Sequence, residues 1–271
     1  MIIDAHVHCS GAEHSDDVLR ALDEARVDIA VLLAPFLSDG YSLEDADSLS
    51  SANRHLATLI EGHPDRLVGL GVVNPLHAHA VAQAIHALDD LGLHGLKMVP
   101  SRWVPSDGCA QDVFAVAAQR KKPILFHSGI FIDGRSGRYC RPVEFEAVRE
   151  QPGLRVTLAH LGWPWCDEAN AVGLIDRING VPADASQFRF DISFGAPPVY
   201  RRTVLSNALA VLGPELLQFG SDCFLPCPGA ELRERRAIVD ALFDDLEVDT
   251  PARARVYAGT AAAWLGLGGA H

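Results

Sequence analysis

A regular alternation of apolar runs and amphipathic stretches, kept up along the whole chain, restricts the fold more than any other feature. Eight runs read as strands, at residues 2–8, 28–36, 67–75, 93–100, 123–129, 154–160, 188–194 and 216–224. Their near-continuous apolar character suits strands buried on both faces of a parallel sheet. Between them, residues 16–25, 46–61, 78–91, 111–120, 142–150, 165–178, 200–212 and 231–245 carry apolar side chains at helical spacing. A last stretch, 251–267, predicts a final helix under or beside the sheet. Strands alternating with helices predict an α/β fold. Eight such units in 271 residues predict a (β/α)8 TIM barrel, one domain over residues 1–271. A doubly wound dinucleotide fold would place a glycine-rich turn after the first strand; this chain has His-Val-His-Cys-Ser-Gly there.

The formal net charge of -12 disfavours a nucleic-acid partner. The start, Met-Ile-Ile-Asp-Ala-His-Val-His, has neither a basic region nor a long apolar one, so no secretion signal is expected. No apolar run approaches membrane-spanning length. Six scattered cysteines without a secretion signal read as free thiols, and the expected location is the cytoplasm. A small molecule is the expected partner, with a homodimer as the commonest assembly for such enzymes.

Catalytic groups of a barrel sit at the carboxyl ends of its strands. His6 and His8 end the first run, Lys97 lies in the fourth, His127 ends the fifth, His160 the sixth, and Asp222 lies near the end of the eighth. Alternation along a strand points His6 and His8 to one face, where two imidazoles can chelate an ion. His127 and Asp222 would approach from other strands. Such a mixed nitrogen and oxygen set suits a divalent metal, zinc first, with manganese or iron as alternatives. Asp4, on the same face and deeper, would orient an imidazole. Leu96 and Met98 would face the helices and Lys97 the interior. Each residue alone has an ordinary reading: a polar strand end, a turn or a helix cap. Together, five ligand-type side chains closing four of the runs point to a metal site. In the loops, Arg135, Arg138 and Arg141 cluster after the fifth run and suit carboxylate or phosphate recognition. Arg102 and Trp103 follow the fourth run, and Trp163 and Trp165 the sixth, as pocket walls. Phe194 and Tyr200 are weaker candidates. Cys9 and Cys223 follow proposed ligands and would line the mouth as incidental thiols.

The segments Asp4-Ala5-His6-Val7-His8, Phe126-His127-Ser128-Gly129, Ala159-His160-Leu161-Gly162 and Gly220-Ser221-Asp222 resemble the amidohydrolase superfamily of metal-dependent barrels. They are most similar to the amidohydrolase-related branch that includes aminocarboxymuconate-semialdehyde decarboxylase. The segment from Tyr257 to Leu265 resembles that branch's carboxyl-terminal helix, with Thr260 where Asn is common. The resemblance implies His6, His8 and His127 as ligands, Asp222 as ligand or base, and His160 as acid or base, or as a ligand of a second ion. It implies for Lys97 either a carboxylated bridge between two metals or, preferred here, a plain cation facing Asp222 or an anionic substrate. The expected activity is a metal-dependent hydrolase acting through a metal-activated water on a small carboxylated ester, lactone or amide. The alternative is a non-oxidative decarboxylase of the same branch. A TatD-like nuclease wants an acid where Lys97 stands, and a barrel without catalysis would not need every ligand.

Overall fold

The computed structural model describes residues 1–193 and 195–267; Phe194 lies outside them. Nine parallel strands form one sheet: β1 (Ile3–His8), β2 (Ile29–Leu33), β3 (Leu67–Val72), β4 (Gly95–Met98), β5 (Ile124–Phe126), β6 (Val156–Leu158), β7 (Phe188–Asp191), β8 (Leu217–Gln218) and β9 (Cys223–Phe224). They pair in the order β8-β7-β6-β5-β4-β3-β2-β1-β9. β8 and β9 are the two ends of the eighth apolar run. Between them, the Ala5 N–H donates to the Phe219 carbonyl at 3.0 Å, and the Asp222 N–H to the His6 carbonyl at 2.9 Å. The eighth run thus joins β7 on one side and β1 on the other, and the sheet closes as the expected (β/α)8 barrel.

Around it lie α1 (Ser15–Ala25), α2 (Ala46–Ile60), α3 (Ala80–Ile85), α4 (Gly108–Gln119), α5 (Cys166–Ile178), α6 (Pro198–Leu212), α7 (Gly229–Asp245), α8 (Thr250–Ala254) and α9 (Thr260–Leu265). The α2 start is fixed by Asp45, whose carboxylate accepts the N–H of Asp47 at 2.9 Å and of Ser48 at 3.3 Å. Two expected helices differ in detail. The fifth crossover, Pro142–Glu150, is a 3-10 helix. α3 runs on into a wide π turn, His86–Asp90. Among the described residues no helix is long and apolar enough to cross a membrane, and all six cysteines are free thiols.

Burial separates two apolar layers. Ala30, Leu32, Leu96, Met98, Ile124, Phe126, Val156 and Leu158 pack outward with helix residues such as Leu22, Leu56 and Phe114. Ile3, Ala5, Val31, Leu33, Val68, Leu70 and Leu125 point inward and pack on Ala261, Trp264 and Leu265. The last helix therefore plugs the amino-terminal end of the barrel. Lys97, between the outward Leu96 and Met98, faces the interior as expected.

β1 contains an irregularity that matters for the site. Asp4 pairs with Ala30, but Val7 pairs with Leu32, so three residues advance on β1 for two on β2. This bulge reverses the alternation. Ile3 and Ala5 belong to the inner layer, Val7 to the outer one, and His6 and His8 come to face inward. Asp4 consequently does not share their face, contrary to the expectation of unbroken alternation.

Candidate metal centre

β1 delivers His6 and His8 to the carboxyl end of the barrel interior, where both are buried. Their Nε2 atoms stand 3.1 Å apart. Asp222 Oδ1 lies 3.4 Å from His6 Nε2 and 3.2 Å from His8 Nε2. Asp222 reaches this position from the gap between β8 and β9, in a left-handed backbone conformation (φ 57°) that aspartate tolerates better than most residues. One close neighbour requires glycine at 220: a Cβ there would stand 2.7 Å from His6 Cβ.

The donor set fits a divalent cation. His6 Nδ1 lies 2.9 Å from Asp191 Oδ2, both side chains fully buried, so this nitrogen carries the ring proton and Nε2 is a bare lone pair. Three donor atoms, two imidazole nitrogens and a carboxylate oxygen, then crowd within 3.4 Å of one another. One cation among them would satisfy all three lone pairs at once. Ligands at about 2.1 Å around one zinc ion stand about 3.4 Å apart at tetrahedral angles. The Asp191 carboxylate that orients His6 plays the outer role usual for a ligating imidazole. Burial pushes the Asp222 carboxyl up, but His6, His160 and His8 outweigh it and hold it well below the carboxylate range. Burial lowers the His8 pKa to about 4, with Asp222 opposing. Both groups are thus in the unprotonated forms a metal needs.

Lys97 Nζ is 3.4 Å from His6 Nε2. Burial lowers its pKa to about 8, against the pull of Asp191 and Asp222. His160 is not the end of a strand, because β6 stops at Leu158. It sits in the single 3-10 turn Ala159–Gly162, at φ 60°, with its ring 5.3 Å from that of His6. Its Nδ1 lies 2.8 Å from Ser193 Oγ. His127 faces the same cavity but stands outside the close donor group. Its Nε2 meets the Ile130 carbonyl at 3.2 Å, its ring stacks on Phe131 at 4.3 Å and lies 5.2 Å from His160. Burial first, then His160 and Lys97, hold its imidazole well below the usual range.

Asp4 does not touch an imidazole. Its Oδ1 accepts the N–H of Ser221 at 2.8 Å and of His6 at 3.3 Å, and burial raises its pKa to about 6. It ties the two strand ends together, and the orienting role expected of it falls to Asp191. The sequence reading missed Asp191 and Ser193, which sit unremarked in the run Phe-Arg-Phe-Asp-Ile-Ser. The available signal was an acid in an otherwise strand-like run.

The cavity above the donors, about 430 Å³, is lined by Phe36, Phe131, Trp163, Phe224, Lys97 and Arg135 among others. Of the four candidate arginines only Arg135 lines it, lying over Phe131 at 4.3 Å and paired with Asp133 at 2.7 Å. Arg102, Arg138 and Arg141 do not. Arg102 bonds Glu44, Arg138 bonds the Tyr139 hydroxyl, and Arg141 bonds Glu168 with its guanidinium 5.8 Å from Trp165. These partners draw the three side chains away from the mouth. Trp103 is core, and Cys9 and Cys223 are buried rather than at the mouth. Tyr200 only flanks Trp163, at 6.2 Å between rings.

No curated protein sequence is similar enough to count as a relative. Many solved structures share the fold, three enzymes among them. One is 5-carboxyvanillate decarboxylase from Sphingomonas paucimobilis (17% identity, 98% of each chain, TM-score 0.66). Another is a probable 2-pyrone-4,6-dicarboxylic acid hydrolase from Acinetobacter baumannii with citric acid bound (14%, 98% of this chain and 99% of that one, TM-score 0.66). The third is a dihydroxybenzoic acid decarboxylase from a Polaromonas species with manganese and the inhibitor 2-nitroresorcinol (13%, 99% and 98%, TM-score 0.69). The sequence profile of the amidohydrolase family matches residues 3–267. Barrel, donor cluster and family profile agree, and the chain belongs to the amidohydrolase family of enzymes.

Proposed function

We propose that this enzyme is a metal-dependent hydrolase of a small carboxylated ester, lactone or amide. The observation that carries the reading is the convergence of His6 Nε2, His8 Nε2 and Asp222 Oδ1 within 3.4 Å at the floor of the cavity. His6, His8 and Asp222 would hold the ion, with His127, which lines the same cavity just after β5, as the further ligand that the family resemblance implies. When bound, a divalent ion, zinc by first preference, supplies a Lewis acid that acidifies water and polarises a substrate oxygen. Asp222, 24% exposed at the cavity floor, takes a proton from the attacking water. His160, whose Nε2 is free to accept it, relays that proton to the leaving group. Lys97 and Arg135, the cations on the cavity wall, hold the substrate's carboxylate. The aromatic rings of Phe36, Phe131, Trp163 and Phe224 pack on its apolar body. The free thiols support a cytoplasmic location, and the charge of -12 favours a small-molecule substrate over a nucleic acid.

A second reading, non-oxidative decarboxylation of an aromatic acid, is favoured by the same aromatic walls. The same cavity then holds the carboxylate that leaves. A panel of lactones and aromatic carboxylates separates the two. Hydrolysis in ¹⁸O-water puts the label into the product acid, whereas carbon dioxide release with no label in the organic product rejects the hydrolase. Metal analysis tests the shared premise. About one equivalent is expected in the purified protein, lost in His6→Ala/His8→Ala; unchanged content in that variant defeats both readings.

A further inference from the structure

One carboxylate meets the His6 imidazole directly and the His160 imidazole through the Ser193 hydroxyl, and we propose that Asp191 is a positioning residue that fixes which nitrogen of His6 and of His160 is left bare. The inference rests on the reading of His6 as a ligand and His160 as a proton carrier. Asp191 ends β7 and is fully buried. Its Oδ2 faces His6 Nδ1 at 2.9 Å. Its Oδ1 accepts the backbone N–H of His160 at 2.9 Å and of Ser193 at 3.0 Å, and also the Ser193 hydroxyl. An oxygen surrounded by backbone N–H donors acts as an acceptor, and this settles the remaining protons. His6 carries its proton on Nδ1. Ser193 has a single hydroxyl proton, which goes to Asp191. Its oxygen, 2.8 Å from His160 Nδ1, must then accept from that nitrogen. His160 therefore also carries its proton on Nδ1, and Nε2 is its bare nitrogen.

The backbone is held by the same hub. His160 and Leu161 adopt φ values of 60° and 47°, a left-handed region unfavourable for a side chain with a Cβ. The His160 N–H bond to Asp191 and the close approach of Gly195, where a Cβ would stand 2.4 Å from His160 Cβ, hold the turn in place. One competing use of these groups exists. Donor atoms of His6, His160 and Asp191 lie within 4.8 Å of one another and could hold an ion themselves. That use would require the proton between His6 and Asp191 to leave.

The ring tautomers are directly measurable. In ¹⁵N-labelled, metal-free protein at neutral pH, long-range ¹H–¹⁵N correlation should show both His6 and His160 protonated on Nδ1. Ser193→Ala should release His160 alone into a mixture of tautomers. Asp191→Asn should disturb both rings and weaken zinc binding, measured by chelator competition, about 10- to 100-fold; Ser193→Ala should leave zinc binding unchanged. An Nε2-protonated His6 or His160 in the wild type overturns the inference, and the wild-type and Ser193→Ala spectra decide it even if Asp191→Asn does not fold. Two equivalents of zinc in the wild type, falling to one in Asp191→Asn, would instead make the trio a second metal site. Failure of the metal reading is a separate result: zinc that stays bound in His6→Ala/His8→Ala, with the wild-type tautomers as stated.

Discussion

Lys97 places an ammonium in the barrel interior at 1% exposure, 3.4 Å from His6 Nε2. Burial lowers its pKa from 10.5 to about 8 even though Asp191 and Asp222 pull the other way. Between those two pH values the unfolded chain binds more protons than the folded one, so stability of the metal-free protein rises with pH across that window. The rise from this group approaches about 3 kcal/mol. Urea unfolding at pH 7.5 and pH 10.5 should show it in the wild type and a flatter dependence in Lys97→Met. Identical slopes would mean that Lys97 is not desolvated as described. At this scale the sequence was informative wherever a ligand-type residue interrupts an apolar run, as at His6, His8 and Lys97. It was silent on Asp191, because an acid in Phe-Arg-Phe-Asp-Ile-Ser looks like a strand's polar end until His6 is seen 2.9 Å away.

The site depends on elements that depart from regularity. Unbroken alternation in β1 would set Ile3, Ala5 and Val7 on one face and Asp4, His6 and His8 on the other. The bulge lets Ile3 and Ala5 fill the interior while His6 and His8 still face it. The eighth run breaks at residues 219–222, and the break lets Asp222 turn toward His8. Gly220 lies within it, and Gly220→Ala would force a Cβ to within 2.7 Å of His6 Cβ. We expect that variant to lose about 1–3 kcal/mol of stability and to bind zinc more weakly; wild-type melting and zinc affinity would show that the strand ends can move apart. Apolar runs located the strands well but overran their ends. The sixth run reaches His160, whereas hydrogen-bonded pairing stops at Leu158. Apolar character continues into buried loops, and only the backbone reveals where a ladder ends.

For the molecule as a whole, the carboxyl-terminal segment closes the barrel floor. Trp264 is fully buried in the inner apolar cluster, which draws Ile3, Val31, Val68 and Leu125 from four strands. Trp264→Ala should cost about 3–5 kcal/mol and lower the melting temperature, while the zinc stoichiometry of the folded fraction stays at the wild-type value. Loss of zinc from protein that remains folded would show that floor and site are not independent. The eight-unit alternation was enough to determine the barrel, because period and burial are local properties of a sequence. The same pattern placed His6, His8, His127, His160 and Asp222 at one end of it. Which of these meet was left to tertiary structure. His6 and Asp191 are 185 residues apart in the chain, and only closure of the sheet brings them into contact. The bulge in β1 and the split eighth strand then decide that His6, His8 and Asp222 share one point in space. Arg135 alone of four arginines reaches the cavity, because the other three find partners outside it. Such choices depend on distances between segments remote in sequence, and no local pattern encodes them.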